Sequence, residues 1–470
     1  MDNTVRIDTW KSLWFSPQTG LPHFSAIVPS DAVTVIRQLV EQHRAGVENW
    51  LDQNAALDAG QRSQRAWEFV DLEEALFDAI NQAWAPVSHL QAVADNEELR
   101  EAYRECLELL TEHQTWRSQN KGIYRLFADL RQSTEFDRLA PGQQRIIDLE
   151  LRDFHLSGVD LPDVEQARYA EIMKRLSSLG AKFQENLLDA TRGWTLHFEE
   201  QTALAGLPAA ELRQLEGNAA SHGQSGWLVD LSYPSYAAII TYAEDRELRR
   251  KVYEAYVTRA SDQGPRAGQW DNTAIIDEML ALRHQLARLL GFANYAEYAL
   301  VPRMASSPRV VMDFLQHLAQ RALPAARKQF AALQEYALAN GASEALQPWD
   351  VAFWSERYRK AELQLSDEIL KPYFPTGAMF QALCHTAGKV FGITLEADES
   401  VETWDPEVRF YWLRDAAGER CAGLYVDLCT RKVKRGGAWM DICRSRRLTA
   451  AGVQLPVAFL NCNFPPPQAD

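Results

Sequence analysis

Nowhere among the ten histidines of this 470-residue sequence do two stand four positions apart. A helix carrying His-Glu-x-x-His turns two imidazoles to one face for zinc and offers a glutamate to activate the bound water, and that motif is absent from these residues. The nearest imitation, His197-Phe-Glu-Glu-Gln201, lacks the second histidine and reads as a strand or a surface helix end. Cysteine is scarce as well: Cys106, Cys384, Cys421, Cys429, Cys443 and Cys462 include no C-x-x-C pair. Their spacing excludes a zinc ribbon or finger and points to reduced, buried thiols. Positive charge is in deficit, with 49 Lys and Arg against 64 Asp and Glu and a net charge of −15. Such a surface does not neutralise phosphates, so no nucleic-acid partner is expected. No run approaches the ~18 apolar residues of a membrane span, so no membrane partner is expected either. The start, MDNTVRIDTWKSLW, has no basic region followed by an apolar one, and a cytoplasmic location without a secretory signal is expected. A P-loop, a dinucleotide fingerprint and a Ser/His/Asp arrangement are also missing. Gly223-Gln-Ser-Gly226 puts glycine directly after Ser225, where a nucleophile elbow needs a spacer, and reads as a hairpin turn. Neighbouring carboxylates such as Glu73 and Glu74 do not face each other on a helix and read as solvated.

What the sequence does have is helical periodicity. A lead-in over residues 1–30 ends at Pro29-Ser-Asp-Ala32, where Ser30 or Asp31 is a candidate cap. Residues 31–150 form a helical domain, with clear patterns over 66–80, 96–114 and 121–131. A helical connecting region follows over 151–225 and contains Gly180 inside a long apolar stripe. Ile275, Met279, Leu282, Leu286 and Leu289 repeat at alternating spacings of four and three, the mark of a core-facing helix that Gly291 ends. Ser307-Pro308 opens another helix, in which Pro324 predicts a kink or a split.

The last sixty-odd residues change period. Val408–Leu413 and Ala422–Leu428 flank the turn Asp415-Ala-Ala-Gly418 and read as a β-hairpin. Arg435-Gly-Gly-Ala-Trp-Met440 follows, its paired glycines suited to close backbone approach. Val453–Phe464 alternates as one strand, with Val453, Leu455, Val457 and Phe459 on one face. Pro456 cannot donate to a ladder, which predicts an edge strand or a bulge. Pro465, Pro466 and Pro467 end it.

RGGAWM, then a strand ending in NCNF, then prolines, resembles the thimet oligopeptidase family of zinc metallopeptidases. DLEEALFDAI (71–80), AIIDEMLALRHQLARLLGFANYAEYAL (274–300) and LQPWDVAFWSERYRK (346–360) are similar to that family too, so the resemblance covers nearly the whole chain. It implies a mainly α fold: a helical two-lobed shell around a channel, with a small zincin-type β-sheet, and residues 226–470 as the N-terminal part of the catalytic domain. It also implies hydrolysis of short peptides, with Zn as cofactor of the complete family member. In the family, the zinc-binding helix follows the NCNF strand. These residues stop before it, so the chain is expected to bind no zinc through the family site and, by itself, to hydrolyse nothing by that route. No catalytic or metal residue carries over. The substrate side does: in zincins an edge strand pairs with the extended substrate backbone, and the matching residues are Gly436, Gly437, Ala438 and Trp439. Read from the residues alone, that stretch is equally a tight turn with Trp439 in the core. The alternative function is a non-catalytic peptide-binding or scaffold remnant. Without a covering helix, Val457 and Phe459 are expected to be exposed, and the region after about residue 400 to self-associate or to be protease-sensitive.

Overall fold

The computed structural model describes residues 10–449 and 452–465. Six long helices come first: α1 (Pro29–Gln53), α2 (Ala59–Val93), α3 (Glu97–Ser118), α4 (Lys121–Gln132), α5 (Pro141–Leu156) and α6 (Asp163–Arg192). The helices downstream include α7 (Thr273–Leu289), α8 (Pro308–Ala339), α9 (Pro348–Leu363) and α10 (Thr376–Phe391). Their starts follow from local chemistry. Asp58 accepts from the Gln61 N–H while the Gln61 side chain accepts from the Asp58 N–H, a reciprocal cap worth about 1 kcal/mol at the head of α2. Asn96 and Ser307 cap α3 and α8. α1 begins at Pro29, ahead of the expected caps, because a proline at the first position has no N–H to leave orphaned. Pro324 does not split its helix: α8 runs unbroken over Pro308–Ala339.

β1 (Thr195–Phe198) and β2 (Trp227–Asp230) pair antiparallel. The turn expected to join a hairpin at 223–226 instead links a helix, Ala209–Ser221, to β2. The remaining strands are β3 (Thr394–Ala397), β4 (Arg409–Arg414), β5 (Arg420–Cys429), β6 (Trp439–Arg444), β7 (Arg447–Thr449), β8 (Gly452–Gln454) and β9 (Val457–Phe464). The predicted hairpin is β4–β5. The single strand predicted over 453–464 divides at Pro456. β8 pairs with β7, and β9 enters a five-stranded sheet of order β3-β4-β5-β9-β6, parallel to β5 and antiparallel to β6. β9 is therefore an interior strand, and Pro456 sits in the break before it, where its carbonyl accepts from the Gly423 N–H at 2.9 Å. The prolines at 466 and 467 lie outside the described residues.

The expected exposure of Val457 and Phe459 is overturned: each is 1% exposed. They share a face with Phe410, Trp412 and Tyr425, and that face packs on Phe24, Val87 and other residues of the N-terminal helices. His89 of α2 stacks on Phe459, ring centroids 3.7 Å apart. Gly423 is required here because a Cβ would lie 2.8 Å from the Phe410 ring. One core thus joins residues 10–110 with 401–459. A second core lies among α1, α2, α4 and α5. Glu73 is not solvated as its neighbour Glu74 is. It is buried and holds Arg117, which also donates to Glu150 at 2.9 Å. Adjacent helix positions point apart, so one carboxylate of the pair faces in and the other faces out.

Candidate functional site

The loop from 430 to 438, between β5 and β6, is held from inside by one lysine. Lys434 sits in a basic stretch with Arg431, Lys432 and Arg435, yet its side chain is 0% exposed. Its Nζ donates to the Asp427 carboxylate (2.7 Å) and to the carbonyls of Asp427 (3.1 Å), Cys429 (2.9 Å) and Cys462 (2.6 Å). It thereby ties β5, β9 and the loop together. Asp427 also accepts two bonds from Arg431, 2.8 and 2.6 Å, and one from the Trp404 Nε1, 3.1 Å. Burial opposes ionisation of Asp427, but the bonds from Arg431 and Lys434 outweigh it and hold the carboxyl below its ordinary range. Burial lowers the Lys434 pKa, and Asp427 offsets part of that.

From outside, the same loop is tied to the N-terminal helices. Arg435 N–H donates to Ala92 O (2.8 Å), and Asp95 N–H donates to Val433 O (3.2 Å). Arg192, at the end of α6, donates to Lys432 O (2.8 Å) and to the Asp95 carboxylate (2.8 Å). Arg100 bridges Asp95 and Asp189 with forked bonds of 2.7–3.0 Å, which raise its pKa further. Asp95, 1% exposed at its side chain, is the hub of this network.

The loop delivers the chain into β6. Among the described residues β6 pairs only with β9, so its second edge is open. Trp439 opens β6 and is half-buried, with the Arg435 guanidinium 4.4 Å over its ring. Gly436, Gly437 and Ala438 lie just before the strand and are exposed. Gly437 has a φ of +97°, a conformation that favours glycine. Asn463 of β9 donates its Nδ2 to Arg435 O (3.1 Å) and to Gly437 O, so the NCNF strand pins the glycine loop. The sequence reading missed Met440, Asp441 and Ile442. The Ile442 N–H donates to the Asp441 carboxylate (2.8 Å) rather than to β9. By the two-residue alternation of an extended strand, Met440 turns its own N–H and C=O to the same open side. The period-2 run from Trp439 to Arg444 was the signal that could have extended the candidate site to these residues.

The donor set of a zinc site is not assembled here. No group of three or more His, Cys, Asp or Glu side chains able to hold a metal lies among the described residues. No helix among them is long and apolar enough to cross a membrane.

The molecule is a mainly helical protein built around one small mixed sheet with an open edge. Comparison with known proteins gives this architecture its family. Peptidase family M3 matches residues 239–470, and the neurolysin/thimet oligopeptidase N-terminal domain matches residues 37–166. Oligopeptidase A of Salmonella typhimurium is 43% identical over 448 residues, which cover 95% of this chain and 65% of that protein. The Escherichia coli oligopeptidase A is 42% identical over 445 residues, 94% of this chain and 64% of that protein. The probable cytosolic oligopeptidase A of Arabidopsis thaliana is 35% identical over 479 residues, 98% and 66%. A solved structure, PZ peptidase A with inhibitor 2, has a TM-score of 0.50 at 15% identity, covers 90% of this chain and 59% of that chain, and shows likeness of fold alone. The chain belongs to peptidase family M3, the thimet oligopeptidase family. It spans about 65% of the length of the bacterial relatives it matches.

Proposed function

We propose that this chain forms the peptide-holding side of a cytoplasmic oligopeptidase that hydrolyses short peptides. A short extended peptide adds to the sheet along the open edge of β6, over residues 438–442, by β-augmentation. Backbone bonds supply affinity there. Gly436 and Gly437 leave room for the peptide beside the strand, and Trp439 and Met440 contact its side chains. The observation that carries this reading is the Ile442 N–H, which donates to its neighbour Asp441 in a strand that has no second partner strand among the described residues. Such a donor is available for exchange to an incoming carbonyl at little cost. The 470 residues alone bind no zinc through the family site and cleave nothing by that route, so metal-dependent cleavage by the pure chain would refute that part.

The test of the edge is titration of the chain with an unstructured octapeptide and with the same peptide N-methylated at alternate positions, read by Trp439 fluorescence. N-methylation in one of the two registers should weaken binding at least ~10-fold, the loss of about 1.4 kcal/mol of main-chain bonding. Ile442→Pro should do the same, because proline is tolerated on an edge strand where the lost N–H faces solvent. Equal binding of all peptides overturns the proposal whether or not the variant folds.

A further inference from the structure

A cavity of about 570 Å³ lies where α3, α6 and α7 meet the short helix Tyr295–Leu300. Cross-links between the helices fix its walls. Between α3 and α6, Lys174 donates to Glu112 at 2.7 Å and pairs with Glu108, and the Thr111 and Ser177 hydroxyls are 3.0 Å apart. Between α6 and α7, Arg175 holds Glu278 with bonds of 2.5 and 2.7 Å, and Arg168 donates to Gln285 at 2.7 Å. The space is therefore preformed, and its size suits a small organic molecule.

The wall is mostly aromatic and thioether, with Met173, Met279, Tyr295 and Tyr298 on it. Such groups take an aromatic ring well. Tyr169 and Leu286 line the cavity too, and both belong to the core between α6 and α7. Burial raises the pKa values of Tyr169 and Tyr298, so their hydroxyls stay neutral. Thr115 and Ser118 spend their hydroxyls on carbonyls of α3 itself, at 2.9 and 3.2 Å. Among the described residues, Arg283 of α7 is the one charged group on the wall. Its guanidinium carbon lies 5.2 Å from the centre of the Tyr295 ring. Arg168 and Arg175 are spent on partners across the helix seam, whereas Arg283 has no hydrogen-bond or ion-pair partner among the described residues. A half-buried guanidinium in neutral surroundings offers an unused planar fork of donors, which matches the two oxygens of a carboxylate.

We infer that this cavity binds a small aromatic carboxylate, with the carboxylate on Arg283 and the ring among Tyr295, Tyr298, Met173 and Met279. One guanidinium balances one negative charge, which selects a carboxylate over a phosphate dianion. The cavity shares no lining residue with the edge of β6, and the inference does not rest on peptide binding there.

The experiment is calorimetric titration of the 470-residue chain with N-acetylphenylalanine, with its amide and with inorganic phosphate. Saturable 1:1 binding of the acid is expected, with a Kd of ~1 mM or tighter for a ligand this small. The amide lacks the charge and should bind at least ~10-fold more weakly. Arg283→Gln should bring the acid down to the level of the amide. Met173→Trp, which fills the cavity, should weaken the acid at least ~10-fold. Ile442→Pro should leave binding of the acid unchanged, which separates this site from the β6 edge. The inference is overturned by equal binding of acid and amide, by absence of saturable binding of the acid, by phosphate binding as tightly as the acid, or by loss of acid binding in Ile442→Pro. The comparison of acid with amide uses the unaltered chain, so it decides even where a variant does not fold.

Discussion

Lys434→Met removes a buried ammonium and keeps the stem. Three carbonyls and one carboxylate oxygen lose their donor, and Asp427 keeps only Arg431 and Trp404. Removing one partner of a buried ion pair costs about 3–5 kcal/mol, and each stranded carbonyl lies within that figure rather than on top of it. Because Nζ joins β5, β9 and the loop, the loss is local. Hydrogen exchange of the amides in β6 and β9 should therefore accelerate ~100-fold or more, by the conversion of 1.4 kcal/mol per tenfold. Amides of α4 and α5, which belong to a different core, should not change. The double variant Asp427→Asn/Lys434→Met should lose less than the sum of the two single changes, with a coupling of about 1.5 kcal/mol or more. An acceleration under ~5-fold at β6 and β9 would mean that Lys434 is not the staple described here.

Three further outcomes are expected. His43 and His113 face each other at 4.6 Å in a site bounded by Arg44, Glu73 and Arg117, and burial, aided by the arginines, lowers their pKa values to about 4 and about 3. The unfolded histidines take up protons near pH 6.5 and the folded ones do not, so their contribution is complete above pH 6.5 and falls with pH by about 1.4 kcal/mol per unit for each. Urea melts from pH 7 to 4.5 should show that slope, and His43→Leu, which loses no hydrogen bond, should reduce it by one proton. Asp95→Ala frees Arg192 and one fork of Arg100, and proteolysis within 430–438 should become ~10-fold faster, while far-ultraviolet dichroism stays unchanged. Asn463→Ala removes both bonds to the glycine loop at about 1 kcal/mol, and peptide affinity should fall while the thermal midpoint moves by only a few degrees.

The helices were legible because their signals are local. The spacing of Ile275, Met279, Leu282, Leu286 and Leu289 is the α7 stripe, and Ser307-Pro308 is the α8 start. The β4–β5 hairpin was legible for the same reason. β9 was not. Its parallel pairing with β5 crosses residues 430–456, and no pattern within Val453–Phe464 records what lies beside it. The burial of Val457 and Phe459 depends on α2 and Phe24, hundreds of residues earlier in the chain. Alternation placed Val457 and Phe459 on one face, as they are in β9, but it also put Val453 there, which belongs to β8 and is 45% exposed, and it could not say that the N-terminal helices cover that face. At the site, the Gly-Gly pair located the loop, and composition hid what holds it. Lys434 and Asp95 look like ordinary surface charges in sequence, because a buried charge differs from a solvated one only in its partners.

The two sets of anchors on the 430–438 loop answer different physical needs. Lys434 lies in the interior of the sheet, where its four acceptors are already desolvated, so its removal costs stability wherever the sheet must stay closed. Asp95 and Arg192 instead join the loop to the ends of α2 and α6 through a buried carboxylate and a mostly buried guanidinium that lie outside the sheet, so they set the loop's direction without forming part of the β6–β9 ladder. The loop aims β6, and β6 carries the open edge. Lys434→Met should therefore impair peptide binding through loss of the strand itself, with affinity and protection falling together. Asp95→Ala should impair it with the β6–β9 ladder intact, so affinity falls while exchange in β9 stays slow. A single ranking of both variants on both measurements would contradict this division.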